Sequence, residues 1–487
     1  MSTGLVSRVF TAATVAVIAC AAAALLGSAG TSAPALVKDI NPGEGLFPHA
    51  LTRLGGTLFF VADDVAHGWE LWKSDGTAAG TMLVKDINPG PEASFPTHLT
   101  VVGGTLFFRA FDPAHSIELW KSDGTDAGTV LVKDINPGPR SSTLSRLTRV
   151  GGTLFFRAFD PAHSIELWKS DGTEAGTVLV KDINPGSEGS FPESLISVGG
   201  VLFFAAFEPV YGFELWKSGG TDAGTVLVKD VNPGSAFSLP QLLTRVGSSL
   251  FFRADDAAHG AELWKTDGVE AGTMLVKDIN PGSASSSLFA LIGVGQTLFF
   301  TAFTPESGFE LWKSDGNEPG TLLVKDINPG SENSVPGSFR RFGGVLVFRA
   351  FEPAHGAELR RSDGTDGGTA LVKDINPGPA SCTADLPIVA GGSVYFSAID
   401  GIHGAELWRS DGTEAGTALV ADVNPNGDAL EPFTTFFRRV GGRLFFTAND
   451  GVHGVELWSV GVGGTSSDED EAEIARDAVD ESHSDVP

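Results

Sequence analysis

The chain has 487 residues, with 33 Lys+Arg against 60 Asp+Glu, a formal net charge of −27. It holds 62 Gly and 27 Pro, yet 42% of it is hydrophobic. That is too apolar for a disordered chain and too turn-rich for a helical bundle. The acidic balance argues against a nucleic-acid surface and against an anionic membrane face, both of which need Lys and Arg. Two cysteines, Cys20 and Cys382, exclude a disulfide framework and a cysteine-based zinc site.

Residues 1–35 read as an export signal. Arg8 is the early charge, an Ala-rich apolar run follows from Val9 to Gly27, and small residues follow at Ser28-Ala29-Gly30. Cleavage near Ala29 fits that pattern. A second reading takes Val17-Ile18-Ala19-Cys20 as a lipoprotein signal with Cys20 as the lipidated residue, although the apolar run continues past the cysteine. A third keeps the run as an anchor, since it nears spanning length. No later stretch has that length.

From residue 36 to 460 one pattern governs the chain. Glu-Leu-Trp begins at Glu70, Glu118, Glu166, Glu214, Glu262, Glu310, Glu406 and Glu456, and Glu358 heads a copy with Arg360 in place of Trp. The spacing is 48 residues seven times, then 50. Eight of the nine tryptophans sit in this motif. LFF variants and LVKDINPG variants each recur nine times on the same beat.

One unit, His98 to Pro137, divides into four strands. His98 to Val102 ends at Gly103-Gly104, a tight-turn signal. Thr105 to Phe111 is apolar on both faces, as in a sheet sandwiched between neighbours. Asp112 to His115 is a turn, Ile117 to Ser122 a third strand, and Asp123-Gly124-Thr125 a second turn. Thr129 to Ile135 is the fourth strand, where Lys133 and Asp134 suit an exposed edge. Asn136-Pro137-Gly138 turns again.

Four strands in 40–50 residues with Gly-rich turns are the signature of a β-propeller blade. A β-solenoid is the alternative. The ends favour a ring: the chain enters with a lone fourth strand, Leu36 to Ile40, and leaves after a third strand, Glu456 to Val460. The first strand would complete the last blade. We therefore expect an all-β, nine-bladed propeller of four-stranded blades; two smaller rings would need a break in the 48-residue beat between Glu70 and Glu406, and there is none. The remainder, residues 461–487, is a Gly-rich linker and then an acidic tail with nine acids and one Arg from Asp468 to Asp485, composed like a disordered segment.

The run ELWKSDGTDAGTVLVKDINPG, Glu118 to Gly138, resembles the bacterial ELWxxDGT repeat family of exported proteins. The resemblance covers residues 36–460. It implies secretion or a cell-surface location; the family name describes a pattern, so it implies no activity and carries no catalytic residues. Departures are Gly219 for the motif Asp, Arg360 for Trp, and a last unit without the SDGT turn.

Candidate residues follow from position in the repeat. His67, His115, His163, His259, His355, His403 and His453 occupy one position, with Tyr211 and Ser307 in the remaining units. They read as a pH-sensitive or metal-binding ring, or as plain turn residues in the hairpin between second and third strands. The Asp pairs before them suit turns; an EF-hand pattern is missing, and structural calcium is the one cofactor left open. The nine glutamates read as blade architecture, because catalysis needs two unlike carboxylates at one site. Trp120 and its equivalents read as inter-blade core. The loops after NPG vary between units and belong to the face that carries the His turns; a rigid scaffold with variable loops suits binding. The double arginines Arg340-Arg341 and Arg438-Arg439 depart from the usual unit.

The reading favoured is an exported, monomeric, non-catalytic binding or scaffold protein whose partner is a protein or glycan. The alternatives are a propeller enzyme, a hydrolase or lyase with a sugar or acidic substrate held at the channel mouth by those arginines, and a structural protein of the cell envelope or matrix. No GxSxG, P-loop, dinucleotide or HExxH motif occurs.

Overall fold

The computed structural model describes residues 32–42, 47–430 and 436–463. The leader with Cys20 and the acidic tail lie outside the described residues. Nine antiparallel sheets of four strands form a ring, a nine-bladed β-propeller. No described helix is long and apolar enough to cross a membrane.

Each blade follows the repeat. In the second, the strands are Thr97–Val102, Thr105–Asp112, Ser116–Ser122 and Val130–Lys133. The fourth is shorter than its sequence suggests, because the register shifts between Leu119 and Trp120 and the chain leaves the sheet after Lys133. The inner strands touch their neighbours all the way round, and the ninth touches the first. The ninth blade takes its outer strand from the start of the chain: Ala35–Lys38 pairs antiparallel with Val455–Gly461, Ala35 opposite Ser459. The expected closure is therefore present.

The apolar positions on both faces of the second strand have a direct use. Phe59, Val61 and Leu71 of blade one pack with Leu106, Phe108 and Trp120 of blade two in a single cluster. Equivalent clusters join the other neighbours. Trp120 is thus core between blades, its ring on one side and the previous blade's Phe59 on the other. In blade seven Arg360 takes this place and is 3% exposed. Its guanidinium meets the Glu352 carboxylate at 2.8 Å, so the buried charge is paired, as burial requires.

Polar staples reinforce the seams. Lys73 Nζ donates to the Gly124 carbonyl at 2.7 Å, and Lys121, Lys169, Lys217 and Lys313 repeat the contact one blade on. The lysines of the outer strand, expected to guard a free edge, also reach the next blade: Lys85 to Asp126 at 2.9 Å and Lys325 to the Thr369 carbonyl at 3.1 Å.

The connections give the ring two unlike faces. The Gly-Gly turns and SDGT turns lie at one end of the strands, here called the hairpin face. The His-bearing turns and the NPG crossovers lie at the other, the crossover face.

We expect Trp168→Ala to cost about 3–5 kcal/mol, since it opens a cavity in a blade seam. Val37→Asp should be at least as damaging, because Val37 is buried in the seam between the ninth and first blades. Denaturant unfolding checks both; a midpoint unchanged in Val37→Asp would argue against closure by the entering strand.

Candidate functional site

The crossover face is built on one buried carboxylate per blade. Glu70 begins the third strand's ELW and is 0% exposed. It accepts from Ile87 N at 3.2 Å, Asn88 N at 3.3 Å, Ser94 N at 3.1 Å and Ser94 Oγ at 2.6 Å. All four donors lie in the crossover that leaves the blade. Glu166, Glu214 and Glu310 hold their own crossovers in the same way. In blade seven Cys382 stands at the serine position; burial, and after it the neighbouring Glu358 carboxylate, push its thiol up. The motif Asn closes the loop from within: Asn88 Nδ2 donates to the Ala93 carbonyl at 3.1 Å.

These anchors force an unusual backbone. Ser94 N and Phe95 N both donate to the Trp69 carbonyl, at 3.2 and 3.1 Å. The doubled contact curls Phe95 to a φ of 47°. Phe47, Phe191, Leu239 and Val335 occupy the same position with φ between 45° and 48°. Each precedes a proline. Bulky and β-branched residues avoid this region, and such strain persists only where surrounding contacts over-determine it, characteristically at binding sites. The side chains are not hidden in compensation: Phe95 is 61% exposed and all five are exposed. Phe237 joins Phe207 and Phe213 in an aromatic group with centroids 5.7–5.8 Å apart. Sequence reading located these loops as variable but missed the strained apolar residue, because left-handed Phe-Pro has no signature in a single unit.

The histidines share this face, as expected, and each is engaged within its own turn. His67 Nδ1 meets Asp64 Oδ2 at 2.7 Å, and Asp64 Oδ1 also accepts the His67 amide at 2.9 Å. His115, His163, His259, His403 and His453 pair with the Asp three residues earlier at 2.7–2.9 Å, and His355 pairs with Glu352. Tyr211 and Ser307 keep the turn by other means: Tyr211 N bonds Glu208 Oε2 at 3.2 Å, and Ser307 Oγ lies 2.9 Å from Thr304 Oγ1. The following glycine packs against the crossover; a Cβ on Gly68 would meet Ala93 N at 2.8 Å. The seven histidines are brought onto one face but not to one point. Among the described residues no group of three or more His, Cys, Asp or Glu side chains is placed to share an ion.

The double arginines separate into two roles. Arg438 is 5% exposed, and its Nε donates to the Leu51 carbonyl at 2.6 Å, tying the ninth inner strand to the first. Arg340 makes the equivalent contact with the Pro387 carbonyl of the next blade. Arg341 and Arg439 stand beside the Gly-Gly turns, Arg439 Nε donating to Gly441 O at 3.2 Å. They belong to the wall of the ring at its hairpin end, away from the histidines, so the two candidate sets form no common site.

No family model matches the chain, and no curated protein does. Solved structures similar to it include a prolyl endopeptidase, with 11% identity over 76% of this chain and 55% of that one at a TM-score of 0.40. A puromycin hydrolase matches with 12% identity over 77% of this chain and 61% of that one, at 0.33. The β-propeller domain of the Trilobed protease from Pyrococcus furiosus matches with 12% identity over 67% of this chain and 98% of that one, at 0.34. The chain spans 55–61% of the length of the first three structures it resembles. At such distances the likeness bears on no activity.

Burial pushes the carboxyls of Glu70, Glu118, Glu214, Glu262, Glu310, Glu358 and Glu406 up to about 7, against the pull of their hydrogen bonds, and Glu456 to about 8. A raised carboxyl favours folding while protonated, so this stability fades as pH rises from about 4.5 past 7. The hydrogen bond donated to the Asp carboxylate raises His67, His115, His259, His403 and His453. Their contribution is complete below the unfolded value of about 6.5 and is likewise lost on going alkaline. Hydrogen bonds from Thr lower Asp75, Asp123, Asp171, Asp363 and Asp411, whose contribution is lost below their ordinary range. We expect a melting temperature highest near pH 5, lower at pH 8 and lower again below pH 3. A melting temperature that climbs steadily to pH 8 would contradict this.

Proposed function

We propose that the chain belongs to the ELWxxDGT repeat family and is an exported, non-catalytic binding scaffold whose crossover face meets a protein or glycan partner outside the cytoplasm. The observation that carries this reading is the row of exposed apolar residues held at positive φ on loops that buried glutamates fix in place. Rigid loops lose little conformational entropy on binding, and apolar side chains presented to water supply the contact area. The chemistry-bearing residues of the repeat are already used within it: glutamates hold loops, histidines hold turns and lysines hold seams.

The route of the chain suits this orientation. Ser32 accepts from Gly461 N through its Oγ at 3.0 Å, beside the end of the last blade's third strand. The described chain therefore enters at the hairpin face.

The test is capture of envelope proteins and glycans on the purified chain, followed by triple substitution Phe95→Ser, Phe191→Ser and Leu239→Ser. Binding of the captured partner should weaken at least tenfold while the melting temperature holds within a few degrees. Undiminished binding by the triple variant would sink the assignment of this face. Turnover in a screen of glycan and ester substrates would instead favour the enzyme reading.

A further inference from the structure

The crossover face is not uniform round the ring. Blade four, made of Glu193–Val198, Val201–Glu208, Gly212–Ser218 and Thr225–Lys229, departs from the others at this end. In the loop that leaves it, the residue before the crossover serine is Phe237. The equivalent residues are Ala93, Ser141, Gly189, Ser285, Asn333 and Ser381 after blades one, two, three, five, six and seven. The Phe237 ring lies 5.8 Å from those of Phe207 and Phe213, which are 5.7 Å from each other. Three rings thus close a triangle at the end of the blade.

The neighbouring loops extend it. A Cβ on Gly212 would meet Phe237 Cδ1 at 2.7 Å, so the turn holding Val210 and Tyr211 sits directly on the Phe237 loop. Leu239 N donates to the Phe213 carbonyl at 3.2 Å, and Phe207 N donates to the Ser190 carbonyl at 2.7 Å. The second bond brings in Phe191, the next residue of the incoming loop. Val210 is 60% exposed and Phe237 46%, and Tyr211, Leu239 and Phe191 are exposed beside them. A continuous apolar patch on a surface marks a site of contact with something else.

The patch carries an uncompensated charge. Glu208 is the acid of blade four's turn, at the position of Asp64, Asp112 and Asp160 in the first three blades. Those acids pair with histidine; here Tyr211 stands in the histidine's place. Glu208 Oε2 accepts from Val210 N at 2.8 Å and Tyr211 N at 3.2 Å, and no described cation pairs with the carboxylate. Blade four supplies no arginine on its second strand either. Ala205 stands where blades two, three, five and seven carry Arg109, Arg157, Arg253 and Arg349. In the adjoining blades Arg157 is taken by Glu193, His163 by Asp160 and His259 by Asp256.

Aromatic rings with a carboxylate at their edge select one chemistry. Ring faces attract cations, and so does the carboxylate. Lys and Arg bring that charge on hydrocarbon stems that cover apolar surface. An acidic glycan would be repelled by Glu208. A neutral glycan would set its hydroxyls against three phenylalanines that offer no hydrogen bond.

We infer that blade four is the part of the crossover face that grips the partner, and that the partner is a polypeptide segment presenting Lys or Arg beside apolar side chains. This rests on the crossover-face reading and gives it a place and a chemistry.

The test selects a random peptide display library on the purified full chain. Enriched peptides are synthesised and their affinities measured. They should carry Lys or Arg next to apolar residues. Phe237→Ser should weaken the selected peptide at least tenfold while the melting temperature holds within a few degrees. Glu208→Gln, and Tyr211→His, which restores the histidine of the other blades, should each remove most of the peptide's advantage over a copy with Gln in place of its basic residue. Salt should reduce that advantage as well. Thr383→Ala, in the crossover leaving blade seven, should change nothing. A library without binders, binders without basic residues, or binding unchanged in Phe237→Ser would overturn the inference. Oligosaccharides held on a glycan array and released by Phe237→Ser would overturn the polypeptide assignment. A peptide released by Phe95→Ser or Val335→Ser but not by Phe237→Ser would overturn the placement on blade four and leave the crossover face as the binding surface. A peptide that none of these substitutions releases would count against both.

Discussion

The structure depends on a carboxylate buried at the start of each blade's third strand. Glu70, Glu166, Glu214 and Glu310 are out of water and survive there because three amides and a hydroxyl of the outgoing crossover are directed at each. Isolated, such a charge would be expensive to bury; satisfied, it fixes the path by which one blade becomes the next. The repeat's other constants follow from that path. The motif Asn closes the loop, the Ser donates to the Glu, and the residue after the Ser is bent into the left-handed region.

The same carboxylate explains why the crossover tips can vary freely. With the loop base held by backbone amides, the tip residues contribute little to the fold. Sequences as different as PEASFPTH and SAFSLPQL therefore sit on one frame. Strain at Phe95 or Leu239 is sustained by the bonds beneath it, and the exposed side chain above is available to a partner.

The seams between blades are a second layer, mostly apolar and locked at the edges by lysine. Where blade seven puts Arg360 in place of Trp, Glu352 answers it, so the seam keeps its charge balance. The two ends of the ring then differ in kind. One end presents apolar loops; the other has acidic turns outside and arginines within. The net charge of −27 conceals this internal division.

The beat of ELW, LFF and NPG was enough to read the blade, its four strands, the count of nine and the closure by Leu36 and its neighbours, because each is a local pattern repeated. It also placed Trp120 in a seam and Glu118 in the architecture, since a residue required in every unit serves the unit. What it could not give was which polar side chains meet across a seam. Arg340 and Arg341 look like a pair in the sequence, and only the ring turns Arg340 and Arg438 into ties between neighbouring strands. Positive φ at Phe95 is likewise a tertiary fact, imposed by the Trp69 carbonyl and Glu70 rather than by the residue itself. The chain alone determined the blade; the ring decided which side chains meet, because contacts across a seam depend on curvature that no single repeat contains.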